Sequence, residues 1–157
     1  MITAPPLLIA TGETSFSRLG ALQAIQAIPA NNTLYVDEIE ISQAAAIAGV
    51  QIATGATASG DLLVALYGAT GLLVAQSVAT AQTSPWELQA VPFTAPYNAT
   101  RARYLLAMIA SDAAATFGLH ASFGNSAAYP QGGFSLPPSI VPPTGYNATY
   151  VPQMSTY

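Results

Sequence analysis

Between Thr33 and Ser42 the chain alternates. Tyr35, Ile39 and Ile41 fall on one parity, and Leu34, Val36, Glu38 and Glu40 on the other. With its β-branched and aromatic content this predicts a strand, and Asn31 and Asn32 supply a turn before it. In "ATRARYLLAMIAS" Arg103, Leu105, Ala107 and Ile109 share one face, while Tyr104, Leu106 and Met108 share the other. Two largely apolar faces predict a central strand. Shorter strands are expected where Val50 and Ile52 flank Gln51, and in "ATFGLHASFG", with Phe117 and Leu119 opposite His120 in parity. Residues 55–60 read as a loop. Trp86, Leu88 and Ala90 alternate with Glu87 and Gln89, which predicts another strand, with an edge or bulge near Pro92.

The most apolar stretch is "DLLVALYGATGLLVAQS". A membrane helix needs about 20 apolar residues without a strong break. Here Asp61 and Gln76 bound only fourteen, and Gly68 and Gly71 bracket Ala69 and Thr70. The reading is a β-hairpin with a four-residue connection and no membrane insertion. Leu62, Val64 and Leu66 take one parity; Leu63, Ala65 and Tyr67 take the other. One face fills a core. The other needs cover from a terminal arm or another subunit.

Residues 1–30 read as an N-terminal arm with a short ordered segment, since Pro5 and Pro6 disfavour regular structure at the start. "SFSRLGALQAIQAIPA" suits either a helix or an edge strand, ending at Pro29. Residues 31–124 read as the sandwich. Residues 125–157 read as a Pro/Tyr-rich extended C-terminal arm, lying on its own surface or a neighbour's. The expected fold class is all-β: seven or eight short strands in a two-sheet antiparallel β-sandwich, specifically a jelly roll, with extended arms.

Composition sharpens this picture. Charged residues make up 6% of the chain, against roughly 25% in typical soluble domains. Lysine is absent, and the only basic residues are Arg18, Arg101 and Arg103. Either Thr, Ser, Gln, Asn and Ala cover the surface, or copies of the chain or a larger assembly do. With a net charge of −4 and no basic run, nucleic acid is not an expected partner. There is no cysteine, so no disulfide or thiolate site exists. The N-terminus does not read as a secretory signal peptide, so the sequons at Asn31, Asn98 and Asn147 carry little weight.

No catalytic set assembles on paper, and no cofactor or metal is expected. His120 is the only histidine; a nucleophilic site would need it with Asp112 and a serine, and no G-x-S-x-G motif is present. Asp37, Glu38 and Glu40 form the one acidic cluster, which could hold Ca²⁺ or serve glycoside hydrolysis, but reads first as a solvated strand face. Arg101 and Arg103 are placed to pair with Glu38 or Glu40, or to meet an acidic partner.

The order of pieces resembles a jelly-roll module of tailed-bacteriophage virion proteins. "YVDEIEIS" is followed by "GDLLVALYGATGLLVAQS", then "WELQAVPFTAP", then "RYLLAMIAS". Matching positions include Val36, Asp37, Ile39, Ile41, Tyr67, Gly71, Val74, Ala75, Ser77, Trp86, Phe93, Pro96, Tyr104, Leu105 and Ala107. The likeness spans roughly residues 33–145, and "NATRAR" departs from it where the module has a glycine. The resemblance implies a virion component and leaves its place on the particle open; with a short chain, low charge, no catalytic set and extended apolar termini, the leading expectation is a non-enzymatic capsid decoration or cement protein, made in the host cytoplasm and placed on the virion exterior. Its partners would be copies of itself, as trimer or dimer, and the major capsid protein. Residues 1–20 and 125–157 would reach neighbours. Interface candidates are Pro5, Pro6, Leu7, Leu8, Phe134, Leu136, Ile140, Val141, Tyr146, Tyr150, Arg101 and Arg103. The alternative is a tail or head-fibre receptor- or carbohydrate-binding module, with Trp86, Tyr97, Tyr129 and Tyr146 stacking on sugars.

Overall fold

The computed structural model describes residues 24–27, 31–83, 85–121, 125–145 and 150–157. The strands are β1 (Ala24–Ala27), β2 (Thr33–Ile41), β3 (Ala45–Ala53), β4 (Asp61–Gly68), β5 (Leu73–Gln76) and β6 (Thr80–Ala81). They continue as β7 (Leu88–Ala99), β8 (Ala102–Ala110), β9 (Thr116–Ala121), β10 (Ser126–Pro130), β11 (Tyr150–Pro152) and β12 (Met154–Thr156). The described residues contain no helix, and every strand pairing is antiparallel. Ala24–Ala27, where the sequence allowed helix or strand, pairs with β9 as a strand.

The chain folds as an all-β sandwich. One layer has the order β10-β2-β8-β4-β5, with β6 also beside β4. The other consists of two three-stranded sheets, β1-β9-β11 and β12-β3-β7. Gln153 joins them: its N–H donates to Gly118 (2.8 Å), and its carbonyl accepts from Ala53 (3.1 Å). Between the layers Tyr35, Ile39, Leu62, Val64, Leu66 and Met108 meet Ile47, Ile52, Val91, Phe93, Phe117 and Met154. The alternating positions of β2, β4 and β8 supply one half of this core, as their parity predicts.

The hairpin forms as expected, with Ala69–Leu72 connecting β4 to β5. Gly71 closes the turn at φ +83°, donating its N–H to Gly68 (2.8 Å). The second face of β4 is covered too, and by the chain itself. Ala65 and Tyr67 join Leu34, Val36, Leu105, Ala107 and Ile109 in a second buried cluster. Against it pack Phe134, Leu136 and Ile140, from the loop between β10 and β11.

This loop is an out-and-back strap. It leaves the end of β10 with the Gln131 N–H on the Asn32 carbonyl (2.9 Å). It reaches the hairpin, where the Tyr67 hydroxyl donates to Pro137 (2.9 Å) and the Leu73 N–H to Pro138 (3.1 Å). Ile140 donates to Gly71 (2.9 Å). The strap then returns until Gly145 accepts from Ser126 at the start of β10 (3.3 Å). Proline has no N–H to satisfy, so Pro137 and Pro138 offer the sheet only carbonyl acceptors.

Two expectations become specific. The C-terminal segment lies on the chain's own surface, one of the two places open to it, and it also adds strands: β10 extends the first layer beside β2, and β11 and β12 complete the second. Its prolines interrupt periodicity without preventing pairing on either side of the strap. The strand after Trp86 keeps the expected alternation and turns the parity of Gln89 inward, a choice the alternation left open. It begins at Leu88, and Gln89, Val91 and Phe93 face the core while Leu88 and Ala90 face out. A glutamine is tolerated inside because both ends of its amide find a partner. Its Nε2 donates to Ala81 (2.7 Å), and its Oε1 accepts from the Thr83 N–H (3.1 Å).

A Cβ on Gly71 would lie 1.9 Å from the Ile140 carbonyl oxygen, at a φ that side chains rarely adopt. Gly71→Ala is therefore expected to cost about 2 to 4 kcal/mol, read from urea unfolding. A loss within experimental error would mean that strap and hairpin do not meet there. Burial pushes the Tyr35 and Tyr67 phenols from 10.0 up to about 12. The folded state then holds protons that the unfolded chain releases. Their contribution is fully present below pH 10.0 and is lost as pH rises towards 12. Unfolding midpoints should fall steeply across that window, and Tyr67→Phe should flatten the fall; an unchanged slope would contradict this.

Candidate interaction surfaces

The predicted interface residues separate into different environments. Phe134, Leu136 and Ile140 are half-buried on the inner side of the strap and serve the chain's own core. Val141 is 78% exposed, and its carbonyl accepts the Tyr129 hydroxyl (2.6 Å). Tyr150 lies in β11 opposite Ala121, and its side chain is outside what is described. Pro5, Pro6, Leu7, Leu8 and Tyr146 lie outside the described residues.

The four stacking candidates are not gathered into one site among the described residues. Trp86 stands in the turn into β7, and Tyr97 near that strand's far end, edge-to-face with Tyr104 (centroids 6.1 Å apart). Tyr129 belongs to the other layer, under the strap.

The charged residues concentrate on β2, β8 and the turn before β8. Arg103 pairs with Glu38 at 3.6 Å, and Glu38 also accepts from Asn125 Nδ2 (3.1 Å). Glu40 is exposed, directly opposite Arg103 in register. Asp37 is buried, on the same parity as Tyr35 and Ile39. So the three acids do not converge, and no group of three His, Cys, Asp or Glu among the described residues is placed to hold a metal ion. Asp112 accepts from Ser59 Oγ and the Ala114 N–H, and the Ser59 hydrogen bond holds its carboxyl below the ordinary range. The side chain of His120 lies outside what is described. No helix among the described residues is long and apolar enough to cross a membrane.

The second layer presents a different surface. Strands β3, β7 and β12 contain no Asp, Glu, Lys, Arg or His. On their outer face Leu88 lies opposite Ala53, Ala90 opposite Gln51, and Pro92 opposite Gly49, with Ser155 on the other side of Gln51. Beside Gly49 the backbones approach closely, since a Cβ there would lie 2.4 Å from the Val91 carbonyl oxygen. The result is an uncharged face of mostly small residues, with the Tyr157 hydroxyl beside Gly49 and Leu88 61% exposed at one corner.

At that corner Trp86, the only tryptophan, adopts φ +64° and is 63% exposed. Its conformation is fixed by neighbours: its N–H donates to Gly55 (3.0 Å), Thr54 donates to the Glu87 carbonyl (2.8 Å), and the Glu87 N–H donates to Thr54 Oγ1 (3.0 Å). A left-handed conformation is unusual for a bulky residue and costs on the order of 1–2 kcal/mol. Alternation in the sequence suggested a strand position, and nothing in the residue pattern signalled this turn.

Comparison with family models, curated proteins and solved structures gives no match, so the functional reading rests on the residues and the geometry.

If the indole serves no purpose in folding, Trp86→Gly should leave stability unchanged or raise it by up to about 1 kcal/mol, since glycine accepts this φ freely. Chemical denaturation checks this. A loss well above that size would show that the ring packs into the fold.

Proposed function

We propose that this chain is a structural protein of a tailed-bacteriophage virion, a capsid decoration or cement protein of the jelly-roll kind. The observation that carries the reading is the uncharged outer face of β3, β7 and β12, on a chain that spends its few charges elsewhere. Such a face suits lasting burial against a broad protein surface better than exchange with a charged or small ligand. The sequence resemblance supports the same class, as does the nested pairing of β2 with β8 and of β3 with β7, which jelly rolls share. The partner is the major capsid protein, and the location is the virion exterior. Binding across neighbouring capsid subunits stabilises the assembled shell by mass action. Attachment runs through a rigid sheet face, because the C-terminal strap is committed to its own sandwich.

The exposed Trp86 favours a second reading, a receptor- or carbohydrate-binding module of a tail or head fibre. Quantitative mass spectrometry of purified virions separates the two. A copy number comparable with that of the capsid subunit supports decoration. A copy number matching a single vertex or tail favours the fibre module, and absence from the virion defeats both. In reconstitution with undecorated shells, Ala90→Glu places a charge in the middle of the uncharged face. It should lower occupancy roughly tenfold while leaving the unfolding midpoint unchanged. Full occupancy by that variant would remove the face from the interface.

A further inference from the structure

The uncharged face of β3, β7 and β12 ends in a corner of a different kind. Trp86, Glu87 and Leu88 are three consecutive exposed residues where the chain turns into β7. Glu87 is the charge next to that face, and its carboxylate makes no ion pair among the described residues. The described arginines, Arg101 and Arg103, come after the twelve residues of β7, which rise by ~3.3 Å each, and neither pairs with Glu87.

The backbone beneath these side chains is already fixed. The Trp86 N–H donates to Gly55, and Thr54 holds both the N–H and the carbonyl of Glu87. The left-handed turn therefore needs no ordering when a partner arrives.

We infer, on the decoration reading, that this corner anchors the chain by receiving an arginine side chain of the capsid surface. The guanidinium lies on the Trp86 ring and pairs with the Glu87 carboxylate, while Leu88 and Ala90 cover the apolar area next to it. A guanidinium can stack on an indole face while its N–H groups reach outward to a carboxylate. Burying the face beside an unpaired carboxylate would strip a charge of water, and a cation from the partner offsets that cost. Tryptophan and arginine are also the residues that most often dominate a protein interface.

Two other occupants fit less well. A neutral sugar needs directed hydrogen bonds beside the ring, and the polar side chains behind this turn are engaged within the chain. Thr54 Oγ1 serves Glu87, Gln82 bonds the Ser59 N–H and the Thr116 carbonyl, and Gln89 bonds Ala81 and Thr83. Of the described arginines a second copy could bring only Arg101, since Arg103 is held by Glu38. A second β7 cannot lie alongside the first, because Thr94 of β7 already donates to the Gln76 carbonyl of β5 (3.2 Å).

The test is binding of the full chain to undecorated shells, read as occupancy against concentration at low and high salt. Trp86→Gly should raise the apparent dissociation constant roughly tenfold or more. Trp86→Asn also accepts a positive φ and should do the same, which separates the ring from the rigidity of the turn. Glu87→Gln should weaken binding roughly fivefold at low salt, and the gap should close at high salt. Glu40→Gln removes the same charge from an exposed position in the other layer and should bind like the parent. Hydroxyl-radical footprinting read by mass spectrometry should find Trp86 protected on the shell. Chemical denaturation of each variant checks that the fold is intact. A parent chain that does not bind defeats the decoration reading and the anchor with it. A parent that binds while Trp86→Gly keeps its affinity, or while Trp86 stays unprotected, overturns the anchor alone. A loss in Glu40→Gln equal to that in Glu87→Gln does the same, since net charge would then be the cause. A blue shift of Trp86 emission in the free chain on adding neutral oligosaccharide would transfer the corner to a glycan.

Discussion

The fold depends on covering both faces of β8. Seven consecutive residues of that strand, Tyr104 to Ala110, are buried. In an antiparallel sandwich one face of each sheet usually meets water, and its residues alternate with the buried ones. Here the first face packs on the second layer, and the other would expose Leu34, Val36, Tyr67, Leu105 and Ile109. Each large side chain of that kind gains roughly 1.5–3 kcal/mol on full burial, so leaving the patch open would remove much of a typical domain's net stability. The strap supplies the cover. The same requirement explains the hydrogen bonds around it, because a loop lying on an apolar sheet must bring partners for its own backbone.

How much of this was legible follows from where the controlling contacts lie. For β2, the β4–β5 hairpin and β8 they lie in the strands themselves, as parity, branched side chains and a Gly-bounded turn, and local pattern was sufficient. The need for a cover over the hairpin was also readable, since two apolar faces on one strand demand it. Which segment covers it was not. The strap has no periodicity, and its acceptors Pro137 and Pro138 lie about seventy positions from the groups they satisfy. Proline read as a mark of an arm, whereas here it makes an extended segment cheap to bury. The parity of β7 was left open for a similar reason. Nothing marks Gln89 as inward until Ala81 and Thr83 are seen to satisfy its amide. For the candidate surfaces, the pairing of Arg103 with Glu38 was within reach of strand parity. The left-handed Trp86 was not, since the contacts that impose it come from Thr54 and Gly55 across the sheet.

Charge is distributed by layer. β2 and β8 carry Asp37, Glu38, Glu40 and Arg103, whereas β3, β7 and β12 carry none, and Glu87 and Arg101 stand in the turns that flank β7. A chain with this composition cannot rely on charge for solubility over its whole surface. It can do so on one side while leaving the other free of desolvation costs. Burying a face of Ala, Gly, Gln and Ser requires no charge to be removed from water, so modest contacts per residue still leave a net gain.

A chain with such a face meets a conflict, because an uncharged surface suited to lasting contact also invites indiscriminate association. An uncharged sheet face with a long edge strand is the usual starting point for aggregation. The structure answers this strand by strand. Pro92 and Pro96 interrupt the donor row of β7, and the strap crosses the outer face that would otherwise be the stickiest. The exposed side chains that break the uniformity of that face are Trp86, on a backbone held in a strained turn, and Glu87 beside it. Specificity in such a chain must come from these, since apolar area alone does not distinguish one flat surface from another.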